Sequence, residues 1–184
     1  KNQPPVPLAE RLARLNQILS SDNDLLLYIA KNGVEPELRL AVLDKIQDET
    51  VISDIAIHDS VVKVRLAAVD KLTEEAALEN VSKSLKNKDK RVSRAAYDKL
   101  SAMTQRVERS AKVRTESKEI CTRLEVLGTN TTFGKKEHTE LMQLQVRWEA
   151  LEKEAESLSV PIEISCYQLA RDTLHQREQA FKTL

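Results

Sequence analysis

The chain has 184 residues and carries 29 Lys and Arg against 29 Asp and Glu, so no global field steers it towards nucleic acid or an anionic membrane. Helix formers dominate, aromatics make up 3% and glycines number three, which excludes an all-β fold and weakens an α/β one. No apolar run reaches the length of a membrane span, no signal peptide is evident, and two cysteines, Cys121 and Cys166, fall far short of a disulfide framework.

Residues 1–7 read as a flexible N-terminal segment. Helical repeats are expected over 8–100. The stretch "VRLAAVDKL" at Val64–Leu72 has relatives in "LRLAVLDKI" at Leu38–Ile46 and "VSRAAYDKL" at Val92–Leu100. Successive copies are offset by 26 and then 28. Companion segments at Leu25–Ala30, Val51–Ala56 and Ala77–Ser82 recur with the same offset of 26. A fixed period of this size predicts a stacked array of short helix pairs. Gly33, Asp59 and Asn87 stand at matching places and suit turns, and Pro36 suits the first turn of a helix. Arg65, Asp70 and Lys71 do not share a helical face, which predicts a helix contacted from several sides. The repeated Asp-Lys is expected to be structural, forming a ladder between units.

These letters resemble HEAT-like repeats of the short type, in which "VRxAAxxxL" marks one helix. The resemblance covers about Asp22 to Leu100. The third copy has Ser93 where the others have Arg39 and Arg65, as a terminal repeat would. Taken with the helical second half, the chain resembles a bacterial family that carries HEAT-like units beside the helical domain-of-unknown-function family 349. That resemblance implies a cytoplasmic bacterial protein and brings no known activity.

Charge is uneven along the chain. Thirteen basic and five acidic residues fall between Lys83 and Arg123. Spacings such as Glu108, Lys112 and Glu116, or Glu119 and Arg123, account for part of this as a solvated helix face. The rest is the cluster Lys83, Lys86, Lys88, Lys90, Arg91 and Arg94, opposed by Asp89. Phosphates or an acidic protein surface are its candidate ligands. Tyr97 is the nearby aromatic, which argues against single-strand readout.

Residues 101–184 are expected to form a long helical hairpin or antiparallel three-helix bundle. An unbroken helix is expected from Lys90 to Leu127, with Gly128 ending it and a stripe of Met103, Val107, Ser110, Val113, Ser117, Ile120, Cys121, Leu124 and Leu127. A loop over Thr129–Lys136 comes next. Leu141, Leu144, Trp148, Leu151, Ala155 and Leu158 step by three and four, a heptad seam. Pro161 is expected to open the last helix, with a stripe of Tyr167, Ala170, Leu174, Phe181 and Leu184.

No catalytic, cofactor-binding or metal-binding residues are assigned. "GTNTTFGKK" at Gly128–Lys136 mimics a phosphate-binding loop but has the wrong glycine spacing and no strand before it. His58, His138 and His175 have no metal-ligand spacing. The expectation is a non-enzymatic, all-α scaffold or adaptor without cofactor. It would bind protein, with no membrane and no small-molecule substrate. The alternative is a nucleic-acid- or ribosome-associated protein docking through Lys83–Arg94.

Overall fold

The computed structural model describes residues 6–18, 23–130 and 132–182. The flexible segment expected at 1–7 falls mostly outside the described residues. So do Asp22, Thr131, Leu184 and the side chain of Phe181. Among the described residues the protein is all-helical: α1 (Leu8–Leu15), α2 (Asn23–Asn32), α3 (Pro36–Leu43), α4 (Glu49–His58), α5 (Val62–Lys71), α6 (Glu75–Leu85), α7 (Lys90–Thr129), α8 (Lys135–Leu158) and α9 (Ile164–Lys182). Among the described residues no helix is long and apolar enough to cross a membrane. The chain divides into two compact units between Met103 and Thr104.

In the first unit α2 packs on α3 and α4, and α4 packs on α5 and α6. Helix α3 packs on α1 and α5. The repeated letters occupy repeated places. Leu26, Ile52 and Leu78 are buried at one position, and Val42, Ala68 and Ala96 at another. Small residues at the second position let neighbouring helices approach closely, and Leu38, Val64 and Val92 fill the space beside them.

Polar rungs join successive helix pairs. Arg39 makes a side-on pair with Asp59, Nε to Oδ2 at 2.8 Å and Nη2 to Oδ1 at 3.1 Å. Arg65 reaches Asp89 at 2.5 Å. Each arginine also donates to a carbonyl in the turn before its own helix, Gly33 for Arg39 and Asp59 for Arg65. The lysine of each Asp-Lys pair donates backwards: Lys45 to the carbonyl of Ile18, Lys71 to that of Asp44, and Lys99 to that of Asp70. The acidic partner in the ladder is therefore the residue at the next turn, while the Asp of the pair offers its backbone oxygen at a helix end, where carbonyls lack partners.

Helix α1 holds a further copy that the letters conceal. Glu10–Ile18 reads "ERLARLNQI", which places Arg11 one repeat before Arg39. Arg11 makes a bidentate pair with Glu35, at 2.8 and 2.5 Å. Hydrogen bonding from Arg11 holds the Glu35 carboxyl below its ordinary range. Arg14 is exposed at the position where Val42, Ala68 and Ala96 are buried, because no earlier helix pair covers it among the described residues.

Gly33 matters for space. A Cβ there would lie 2.7 Å from the Ile29 carbonyl oxygen and 3.2 Å from Arg39 Cγ. Gly33→Ala is therefore expected to destabilise the first unit by about 1–3 kcal/mol, the usual cost of forcing a packed site apart. An unchanged urea midpoint would show that the turn yields freely.

In the second unit Leu141, Leu144, Trp148, Leu151 and Ala155 of α8 are buried, with Ile120, Leu124 and Leu127 of α7 and Ala170 and Leu174 of α9. Trp148 stacks on Tyr167, ring centroids 4.1 Å apart and planes 3° from parallel. Arg123 and Arg109 of α7 pair with Glu140 and Glu154 of α8, so those two helices run antiparallel. Arg123 thus turns to α8 rather than to Glu119 on its own helix.

Several expectations need correction. Gly128 does not end α7. The helix has 40 residues and closes at Thr129, and no glycine has positive φ. Gly128 instead lies opposite Thr173, whose Cγ2 would meet a Cβ at an ordinary 3.7 Å. Val107 is 63% exposed and leaves the stripe. The reason is length: Cys121 Sγ contacts the Glu163 carbonyl just before α9 begins, so α9 does not reach back to Val107. Pro161 does not open α9, which starts at Ile164. Ser159 is left-handed (φ 56°) and closes α8, and Val160 then tucks into the core before the last helix begins.

Candidate functional site

Helix α6 and the first three turns of α7 enclose an open groove of about 660 Å³. Its lining is Glu79, Ser82, Lys83 and Lys86 from α6 and its C-terminal turn, and Lys90, Ser93, Arg94, Tyr97 and Leu100 from α7. The spacing explains the grouping. Glu79, Ser82, Lys83 and Lys86 step i, i+3, i+4, i+7, and so do Lys90, Ser93, Arg94 and Tyr97, which puts each set on one helical face. Ser93 Oγ donates to the Ser82 carbonyl at 2.8 Å and ties the two helices together under the groove.

Of the six cations read as a cluster, four line this groove: Lys83, Lys86, Lys90 and Arg94. Lys88 lies in the turn and Arg91 in the first turn of α7; both are exposed and outside the lining. Lys83 pairs with Glu79 at 2.6 Å and Arg94 with Asp98 at 3.0 Å, each one helical turn away. Among the described residues Lys86 and Lys90 make no ion pair. Asp89 does not neutralise them. Its carboxylate accepts from Arg65 and from the N–H groups of Arg91 and Val92, as an N-cap. The Arg65 hydrogen bond, then those N–H groups, hold Asp89 below the ordinary carboxylate range.

The groove has a counterpart one repeat earlier. An offset of 26 places Ser82 and Lys83 where α4 has Ala56 and Ile57. An offset of 28 places Ser93, Arg94, Tyr97 and Leu100 where Arg65, Leu66, Val69 and Leu72 stand in and just after α5. In the α4–α5 pair these positions are buried or half-buried, and α6 packs on α4. Val69 is 1% exposed and Tyr97 58%. The positions of Lys83, Arg94 and Tyr97 are thus held by Ile57, Leu66 and Val69 in the covered pair and by amphipathic side chains in the open one.

Other chemistry is sparse. His58 Nδ1 lies 2.8 Å from Asp54 Oδ1 at the surface. Among the described residues no three His, Cys, Asp or Glu side chains converge as metal ligands. Burial, with the Cys166 thiol beside it, pushes the Cys121 thiol up to about 12, which keeps it protonated and non-nucleophilic at neutral pH. This cysteine neighbourhood, with Cys166 Sγ 3.5 Å from Glu125 Oε1, has no signal in the sequence spacing. In the glycine-lysine loop, Gly128 is helical, Lys135 and Lys136 belong to α8, and the Gly134 N–H donates to Glu137 Oε2 at 3.0 Å. The donor a phosphate would require there is already taken by the chain's own carboxylate.

Comparison of the chain with protein-family models, with curated proteins and with solved structures finds no match in any of the three.

Proposed function

We propose that the chain is a non-catalytic helical scaffold that binds a protein partner, built as a HEAT-like repeat stack followed by an antiparallel three-helix, coiled-coil-like bundle. The α6–α7 groove carries this reading. It is open, lined by Tyr97 and Leu100 together with four cations, and α7 is joined to the preceding repeat by the Arg65–Asp89 and Lys99–Asp70 rungs. A site on braced helices holds its shape without a ligand, which lowers the cost of binding. The resemblance to HEAT-like units beside family 349 points the same way and assigns no reaction.

The second reading is nucleic-acid or ribosome association. Lys86, Lys88, Lys90 and Arg91 favour it, since their charges are not neutralised by ion pairs among the described residues. Affinity capture from the native host, with and without nuclease, separates the two. Stoichiometric protein partners that survive nuclease are the expected result. Loss of every partner on nuclease treatment would overturn the scaffold reading in favour of the second.

A further inference from the structure

We infer that the α6–α7 groove takes an acidic amphipathic helix of a partner protein, seated where a further repeat helix would pack. The inference rests on the scaffold reading and adds the chemistry of the partner.

Shape comes first. The equivalent face of α4 is one on which α6 packs. The turn between α6 and α7 is one residue longer than that between α4 and α5, and Ser93 Oγ ties α7 to the Ser82 carbonyl, leaving an open furrow between the two helices. Ridges of a third helix fit such a furrow.

Chemistry then selects the helix. Relative to the covered face, Ile57 becomes Lys83, Leu66 becomes Arg94 and Val69 becomes Tyr97. Side chains of this kind can lay apolar stems or rings against a partner while keeping their charge or hydroxyl in water. A partner with one apolar stripe and flanking carboxylates matches both parts. Lys86 and Lys90 would gain counter-ions. Lys83 and Arg94 would exchange exposed i, i+4 pairs, which contribute little, for pairs with the partner. A nucleic-acid strand matches less well. Leu100 and the Tyr97 ring in the lining offer its phosphates nothing, and one tyrosine offers little stacking.

The test uses the full chain and three fluorescent probes. One is a designed helical peptide of about 20 residues with a leucine stripe at i, i+3, i+7 and glutamates elsewhere. The second has the same composition with the leucines scrambled around the helix. The third is an oligouridine of about the same length. Anisotropy titrations are expected to show saturable binding of the striped peptide, weakening with salt, with the scrambled peptide at least about tenfold weaker. Lys86→Glu with Lys90→Glu should lower affinity by at least about tenfold, and Lys86→Gln with Lys90→Gln by less, in the same direction. Tyr97→Ser, which leaves the charge alone, should also weaken binding. Unchanged circular-dichroism melts would verify that these exposed substitutions leave the fold intact. Equal binding of the two peptides, no saturable binding, or charge-reversed protein that binds like wild type would overturn the inference. So would oligouridine binding more tightly than the striped peptide and being lost in the charge-reversed protein. If captured host proteins survive both nuclease and charge reversal while the peptide fails, the scaffold reading stands and this inference falls.

Discussion

Replacing Trp148 by alanine is expected to lower the stability of the second unit by about 3–5 kcal/mol, the range for truncating a large buried aromatic. The indole is 2% exposed. It sits in the α8 seam between Leu144 and Leu151 and lies flat on Tyr167 of α9. Truncation forfeits its burial, opens a cavity and removes the stacking, which alone contributes about 0.5–1.5 kcal/mol. Because Trp148 is the single tryptophan, its emission reports this unit in the wild type. The expected wild-type spectrum is that of a dry indole, shifting red in the urea transition. Circular dichroism should then show an earlier transition for Trp148→Ala. A wild-type indole already in water, with an unmoved melt for the variant, would contradict a buried seam.

The second large effect is expected in the ladder, and its size should follow burial. The Arg39 and Asp59 side chains are 9% and 5% exposed. Removing Arg39 strands a buried carboxylate, which typically costs about 3–5 kcal/mol. The Arg65–Asp89 pair is more open, at 15% and 17%, and Arg65→Ala should cost less. Arg11→Ala, at a pair about a third exposed, should cost least. Chemical denaturation of the three variants tests this order. Equal losses would mean that the rungs act through packing of the arginine stems instead. Acid provides a second reading of the same ladder. Glu35 and Asp89 both titrate below the ordinary carboxylate range in the folded chain, because of Arg11 and Arg65 respectively. Their stabilisation is fully present above the unfolded value of about 4. It is lost as pH falls through the lower folded values. Melts should change little between about pH 7 and 5 on this account and fall below about pH 4.

Much of the helical content was legible from the chain alone, for a local reason. A helical face repeats every three or four residues, so Leu141 to Ala155 announced a seam and Trp148 its place in it. A repeat copies its buried positions, so Val64, Ala68 and their relatives announced covered helices. The i, i+3, i+4, i+7 spacings that gather Lys83, Lys86, Lys90 and Arg94 at the groove are also present in the letters, but what the letters announced was a run of charge and not a groove.

What the tertiary structure decided depends on reach and on where neighbouring elements stop. Val61 occupies the place before α5 where α3 and α7 have Glu35 and Asp89. Arg39 therefore turns to Asp59, while Arg11 and Arg65 meet the acid that stands just before the next repeat helix. Val107 has the same spacing as its stripe mates and is exposed, because α9 begins level with Cys121. Cys121 and Cys166 meet although they lie far apart in the chain, because the Ser159 turn and the start at Ile164 set how far α9 lies along α7. Periodicity within a helix specifies which side is covered. The partner on that side is set by turn length, helix ends and side-chain reach, and these act between segments that no local pattern connects.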